Sequence, residues 1–307
     1  MMTLHHDKDI FKDVLAQVSL DTGIALNMLE KDYYVTMVLR ELVKRDHNFI
    51  FKGGTSLSKC FHCISRFSED IDLCYENFDK LSIGKKRKIK STIVQVCEDL
   101  GLQILNLDKI RSRRVFNRYD IEYPKMFPNS TILKQVVLVE TAFQTEAFPW
   151  EIRKAQSLIG EYFEKLGRED VIRNFDLYSF DVKVQSMNRT FVDKLFALVD
   201  YVLTNRCEEH SRHLYDIYCL YEHISFDYEF KGLFLEVKKI RSQLPYCPSA
   251  QDDVNILDEL DKIIRNDIYK EDYKRKTEPM TYDHVTYKQT IDVLQQVIYQ
   301  LQTLEIE

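Results

Sequence analysis

The sequence predicts an α/β or α+β domain followed by a helical one. Three observations carry that prediction: helical periodicity over residues 8–46, short strand-like and helical runs alternating from Asn48 to Phe143, and almost unbroken helical periodicity after residue 187. In the first helical stretch, apolar residues recur at helical spacing at Ile10, Val14, Leu15 and Val18, and again at Leu29, Tyr33, Val35, Met37, Val38, Leu39 and Leu42. "NFIFK" (Asn48–Lys52) reads as a short buried strand that stops at Gly53-Gly54. A helix is expected from Thr55 to about Ile64, with Thr55 or Ser56 as its N-cap. "IDLCYE" alternates as a strand, and "GKKRKIKSTIVQVCEDLGL" is an amphipathic helix closing at Gly101. "QILNL", "RVFNRYDIEYP" and "QVVLVETAF" are strand-like runs divided by polar or proline-containing turns. Beyond residue 187, "TFVDKLFALVDYVL" sets Phe191, Leu195, Leu198 and Val202 on one face, and "RHLYDIYCLYEHI" and "VTYKQTIDVLQQVIYQLQTL" repeat that logic. The polar stretch "YKEDYKRKTEPMTYDH" reads as a loop. The domains expected are 1–186, including the N-terminal helices, and 187–307.

Composition limits the function classes. The chain has 307 residues, 45% hydrophobic and 30% charged, enough for about two soluble domains. No apolar run approaches the roughly 20 residues that span a bilayer. The first residues carry charge throughout, so no secretory signal is expected. The 7 cysteines are an odd number without a disulfide-framework spacing, which fits a reducing, cytoplasmic setting. A net charge of -6 argues against a basic coat over the whole surface, though not against a local basic patch.

The stretch "KGGTSLSKCFHCISRFSEDIDL" (Lys52–Leu73) carries the chemistry. The chain has only 8 glycines, yet places two together between a strand and a helix. Glycines there let the backbone approach a bulky anion, and the N–H groups opening the next helix face it. The G-x-x-x-x-G-K-[ST] phosphate loop is absent. Asp70 and Asp72 lie two apart at a strand start, so both side chains share a face. Two adjacent carboxylates repel each other unless a cation joins them, and Mg2+ suits such oxygen ligands. A phosphate-holding turn and an Mg2+-holding D-x-D pair together describe nucleotidyl transfer.

These motifs resemble the AbiEii/AbiGii-type toxin nucleotidyltransferases of the polymerase β-like superfamily. "KGGTSLSK" followed by "RFSEDIDL" is similar to the family signature. "EKDYYVTMVLREL" (Glu30–Leu42), "MNRTFVDKLFALVD" (Met187–Asp200) and "RHLYDIYCL" (Arg212–Leu220) resemble three further family helices, in order. The resemblance implies an α+β nucleotidyltransferase fold with a mixed sheet flanked by helices, then a C-terminal helical bundle. It implies that Gly53, Gly54 and Thr55 or Ser56 hold the nucleotide phosphates and that Asp70 and Asp72 bind Mg2+. A third metal carboxylate would come from a central strand, with Glu140 as the candidate where many relatives have aspartate. Lys194 would contact the triphosphate, and Asp216 would orient Lys194 or the nucleotide. The implied partners are an NTP, an RNA acceptor such as a tRNA 3′ end, and a cognate antitoxin. The alternatives are transfer to a small molecule or protein hydroxyl, and a non-catalytic nucleotide-binding protein.

Other features are read separately. The spacing of Arg212 and Asp216 permits an i,i+4 surface ion pair. Cys60 and Cys63 read as helix cysteines rather than a zinc or redox pair, and Cys207, His210 and His213 lack an obvious fourth zinc ligand. Lys85, Lys86, Arg87, Lys88 and Lys90, with Arg111, Arg113, Arg114 and Arg118, form basic clusters that suit an RNA backbone. Phe116 and Tyr119 among the arginines are candidates for base stacking.

Overall fold

The structure is a computed structural model and describes residues 3–77, 81–127, 136–143 and 147–306. The chain packs as two units, Met1–Phe61 with Ser68–Val184, and His62–Phe67 with Gln185–Glu307.

In the first unit, local capping sets the helices. The Asp7 carboxylate accepts from the Asp9 and Ile10 N–H groups and starts α1 (Lys8–Thr22), which stops at Gly23 with φ 75°. Next come α2 (Leu26–Arg45), β1 (Phe49–Lys52), a single helical turn α3 (Gly53–Ser56), β2 (Asp70–Tyr75) and α4 (Ile83–Asp99), which Ser82 caps. They are followed by β3 (Gln103–Ile104), β4 (Phe116–Glu122), β5 (Val137–Ala142), β6 (Trp150–Ala155), α5 (Leu158–Lys165), α6 (Glu169–Phe175) and β7 (Phe180–Gln185). The helix expected from Thr55 to Ile64 is shorter and looser. After α3 the chain runs as a π-type turn over Leu57–Phe61, and His62, at φ 52°, ends it.

The strands form a seven-stranded mixed sheet in the order β3-β4-β5-β2-β1-β7-β6. β2 runs antiparallel to β1 and parallel to β5, and β4 runs antiparallel to β5. Period-2 alternation divides the residues between its faces. Phe49, Phe51, Ile71, Leu73, Val137, Val139, Tyr119 and Ile121 enter the main core beside Leu15, Tyr33, Val38, Ile93 and Ile159 from the helices. Each such fully buried side chain is worth about 1.5–3 kcal/mol, which fixes the register, because a one-residue slip would turn the whole apolar set outward. The opposite face carries a small apolar cluster of Ile50, Cys74 and Ala147, with Ala142 against it. Leu138 and Phe116 share that face with polar positions that include Lys52, Asp70, Asp72, Arg118 and Glu140.

In the second unit, α7 (Met187–Leu203) is capped by Ser186 and buries Phe191, Leu195 and Leu198. α8 (Arg212–Tyr221), α9 (Tyr228–Ser242), α10 (Ile256–Arg265), α11 (Lys270–Asp272) and α12 (Tyr287–Thr303) follow, the last opened by a Thr286–Gln289 capping box. The stretch read as a polar loop is largely helical turns: α11, a π-type turn over Tyr273–Thr277 and a 3-10 turn over Glu278–Met280. Tyr269 and Tyr273 anchor it with fully buried rings whose hydroxyls donate to the Leu198 and Val285 carbonyls. No described helix is long and apolar enough to cross a membrane.

Candidate active site

On β2, Ile71 and Leu73 point into the core, so Asp70 and Asp72 stand half-buried on the opposite face. The register extends that face into a row across four strands. Lys52 of β1 lies opposite Asp72, Asp72 opposite Glu140 of β5, and Glu140 opposite Arg118 of β4. Two acidic positions are thus flanked by two basic ones, with Asp70 two residues from Asp72 on the same side. Arg118 also binds Asp120 of its own strand, at 2.8 Å from Nε. That hydrogen bond raises the guanidinium pKa, and the Glu140 and Asp70 charges add to it. Among the described residues, no three or more His, Cys, Asp or Glu side chains gather closely enough to hold a metal by themselves. Mg2+ commonly binds one or two carboxylates and completes its shell with phosphate oxygens and water. Asp70 and Asp72, with Glu140 alongside, fit that partial role.

The glycine turn has its own geometry. Gly53 has φ 80°, and a Cβ built there would overlap the Asp72 carboxylate. The first glycine is therefore required twice, by its left-handed backbone and by the close approach of that carboxylate. Gly53 and Gly54 are half-exposed, whereas Thr55 and Ser56 are fully buried. The Ser56 hydroxyl donates to the Gly53 carbonyl at 2.8 Å, and the Thr55 and Ser68 hydroxyls are bonded at 2.8 Å. With those hydroxyls engaged internally, the exposed part of the turn is its backbone.

Two buried ion pairs brace this region, and sequence reasoning missed both. Lys31 binds Glu69, the residue before Asp70, at 2.6 Å. Asp32 accepts from Lys59, just beyond the turn, at 2.5 Å and from the Leu158 N–H at 2.7 Å. The neighbouring Glu30 receives the Met126 and Phe127 N–H groups. The available signal was three consecutive charged residues, "EKD", inside a helix otherwise read as apolar; buried charges need partners.

In the second unit, Lys194 and Asp216 meet. The Asp216 carboxylate is fully buried and accepts from Lys194 at 2.5 Å. It also receives a two-pronged contact from Arg66, at 2.6 Å from Nε and 2.8 Å from Nη2. Burial alone would push the Asp216 carboxyl up, but the Arg66 and Lys194 charges outweigh it and hold the pKa well below the usual range. Burial presses the Lys194 ammonium pKa down, Asp216 restores part of that, and Arg66 opposes it. Asp216 is thus an interior group held by Arg66 and Lys194, not the surface group that its spacing from Arg212 suggested. Arg66 lies in the quoted glycine-to-aspartate stretch, where nothing in its spacing pointed to a partner 150 residues away.

Cys60 and Cys63 are not in disulfides, and burial pushes their thiol pKa values up to about 12 and about 11. His210 and His213 form a parallel ring stack with Tyr201, the Tyr201 and His210 centroids lying 3.5 Å apart. Among the basic residues, Lys85 turns to Asp46 and lies over the Tyr75 ring. Tyr119 is 2% exposed and packs in the core, so it has no face for a base, whereas Phe116 is 42% exposed.

The sequence profile described as "Nucleotidyl transferase AbiEii toxin, Type IV TA system" matches residues 38–296. Among solved structures, the fold is similar to that of MenT4, a nucleotidyltransferase toxin from Mycobacterium tuberculosis H37Rv. The TM-score is 0.60 at 16% sequence identity, covering 94% of this chain and 89% of MenT4. No curated protein matches the chain by sequence.

Proposed function

The chain belongs to the AbiEii family of nucleotidyltransferase toxins of type IV toxin–antitoxin systems, and from that premise we propose that it moves nucleotides from an NTP to the 3′ end of an RNA, with tRNA as the acceptor and Mg2+ as the metal. Family membership implies a nucleotide substrate and an antitoxin partner. The observation that carries the reading is the acid row, with the Asp72 carboxylate pressed against the backbone of Gly53.

In this reading the half-exposed backbone of Gly53 and Gly54, at the start of a helical turn, receives the triphosphate, with Thr55 and Ser56 shaping the turn from inside. Asp70 and Asp72 hold the metal, and Glu140 supports them from β5. Mg2+, when bound, neutralises triphosphate charge and favours the ionised form of the attacking hydroxyl. By the family pattern, Lys194 contacts the triphosphate as a compact point charge, and Asp216 fixes where its ammonium sits. A cytoplasmic location goes with an NTP and RNA as substrates.

The test incubates purified protein with total RNA, Mg2+ and each labelled NTP in turn, beside the Asp72→Asn protein. Label in a tRNA-sized band with wild type, reduced about a hundredfold or more in the variant, is expected. Full activity in Asp72→Asn would refute the carboxylate mechanism, and label on small molecules or protein would reassign the acceptor.

A further inference from the structure

We infer that a basic groove between α4 and the turn before β4 docks the phosphodiester backbone of the RNA acceptor and leads its end along β4 to the acid row. As to why RNA is bound, this rests on the transfer reading above; the docking itself stands on separate observations.

The groove is a shallow, solvent-open depression of about 620 Å³ lined by Arg87, Lys90, Ile110, Arg111, Arg113 and Arg114. Its five cations sit on a protein of net charge -6. Among the described residues, no carboxylate lies within ion-pair distance of any of them. Pairing is the habit of the same surface elsewhere, where Lys85 meets Asp46 and Arg118 meets Asp120. Like charges gathered in this way repel each other, and a polyanion relieves the repulsion while releasing its own counterions.

The groove is also built rather than loose. The buried Asn117 side chain accepts from the Arg111 N–H at 3.0 Å and donates to the Arg111 carbonyl at 3.1 Å. Lys90 donates to the Ile110 carbonyl at 3.2 Å. The turn is thereby pinned from strand and helix, while Arg113 and Arg114 remain exposed.

Its direction points to a nucleic acid. From Arg114 the chain enters β4, where Phe116 and Arg118 share the face of the acid row and Arg118 stands opposite Glu140. At about 3.3 Å per residue, Arg114 to Arg118 covers roughly 13 Å. Along that path the exposed Phe116 ring offers a flat surface to a base. An acidic peptide would satisfy the cations and leave the ring unused.

The test measures binding of a labelled single-stranded RNA oligonucleotide by fluorescence anisotropy over a series of NaCl concentrations. Wild type is compared with an Arg87→Ala, Arg113→Ala, Arg114→Ala triple variant. The triple variant should bind about tenfold or more weakly at low salt, with a log–log salt slope shallower by about 2, given roughly 0.7 per lost phosphate contact. Its NTP binding and thermal melt should match wild type. Arg113→Glu, a single exposed change, should weaken RNA binding in the same direction and serves if the triple variant misfolds. RNA affinity and salt slope unchanged in the folded variants would overturn the groove. So would groove-dependent binding of polyglutamate in preference to RNA, which would make the partner an acidic protein. Groove-dependent RNA binding by a wild type that labels no RNA would support the groove while refuting the transfer reading.

Discussion

The acid row and the Arg66–Asp216–Lys194 cluster use the same side chain to opposite ends. In the first unit, Asp70 and Asp72 stand half-buried on the sheet face away from the main core, with a third carboxylate, Glu140, opposite Asp72. In the second, Asp216 is fully buried and bound by two cations. A carboxylate removed from water survives as an ion only when its unit supplies the compensating charge. A row of carboxylates left half-exposed holds charge that a cationic ligand can use. Depth of burial, not residue type, separates the two clusters here.

The largest expected effect follows from Asp216. Asp216→Asn leaves Arg66 and Lys194 buried without their anion, which should cost about 3–5 kcal/mol, read by urea denaturation. Adding Lys194→Met removes one stranded charge and should recover part of that loss. A stable Asp216→Asn protein would mean that the buried pairing contributes little. The pH sign follows from the depressed carboxyl. The stabilisation is fully present above the ordinary carboxylate range and disappears only in strong acid, as pH falls through the folded value.

Gly53→Ala joins the turn to the acid row and should come next. It places an L residue at φ 80° and drives a Cβ into the Asp72 carboxylate. Together these should cost about 2 kcal/mol. Transfer should fall as in an Asp72 variant although no donor atom is lost. An alanine variant with unchanged transfer would separate the glycine from Asp72.

Glu161 of α5 tests what happens to a partly buried carboxylate that makes no ion pair among the described residues. Burial pushes its pKa up to about 6, against a smaller opposing effect from Lys59. The sign is therefore the reverse of Asp216. The protonated form is compatible with folding below the unfolded value, and a penalty grows as pH rises through about 6. Glu161→Gln should stabilise the protein by about 1–2 kcal/mol at pH 8 and by almost nothing at pH 4, measured as the difference between two denaturation curves. Equal effects at both pH values would assign the change to packing rather than charge.

The family and fold class were legible because their signals are local. The glycine pair, D-x-D spacing and helical periodicities each lie within one short window, and the alternation of β2 by itself places Asp70 and Asp72 on one face. What escaped depends on distant pairings. Arg66 finds Asp216, Lys31 finds Glu69 and Asp32 finds Lys59 across tens of residues, and periodicity carries no information about such partners. The β6 strand escaped for a different reason: it is an edge strand whose "WEIRKA" is mostly exposed and shows no clean apolar alternation. Tyr119 was misread because composition alone cannot say which aromatic in a cluster faces inward. The register set Tyr119 opposite Val139 in the core and left Phe116 on the other face.

The smallest expected change in stability belongs to the residue with the largest expected change in chemistry. Asp72→Asn removes one negative charge from a face where Asp70 and Glu140 remain, so it relieves repulsion as it loses whatever attraction Lys52 supplies from the neighbouring strand. These terms oppose each other at a half-exposed position, where each is screened by solvent. The net change should lie within about 0.5 kcal/mol, while nucleotide transfer is lost. Measured by the same urea titration as Asp216→Asn, the two aspartate variants should separate by several kcal/mol, consistent with the values above. If Asp72→Asn instead unfolded the protein as readily as Asp216→Asn, the acid row would be structural, and its half-exposed carboxylates would need internal partners as strong as Arg66 and Lys194.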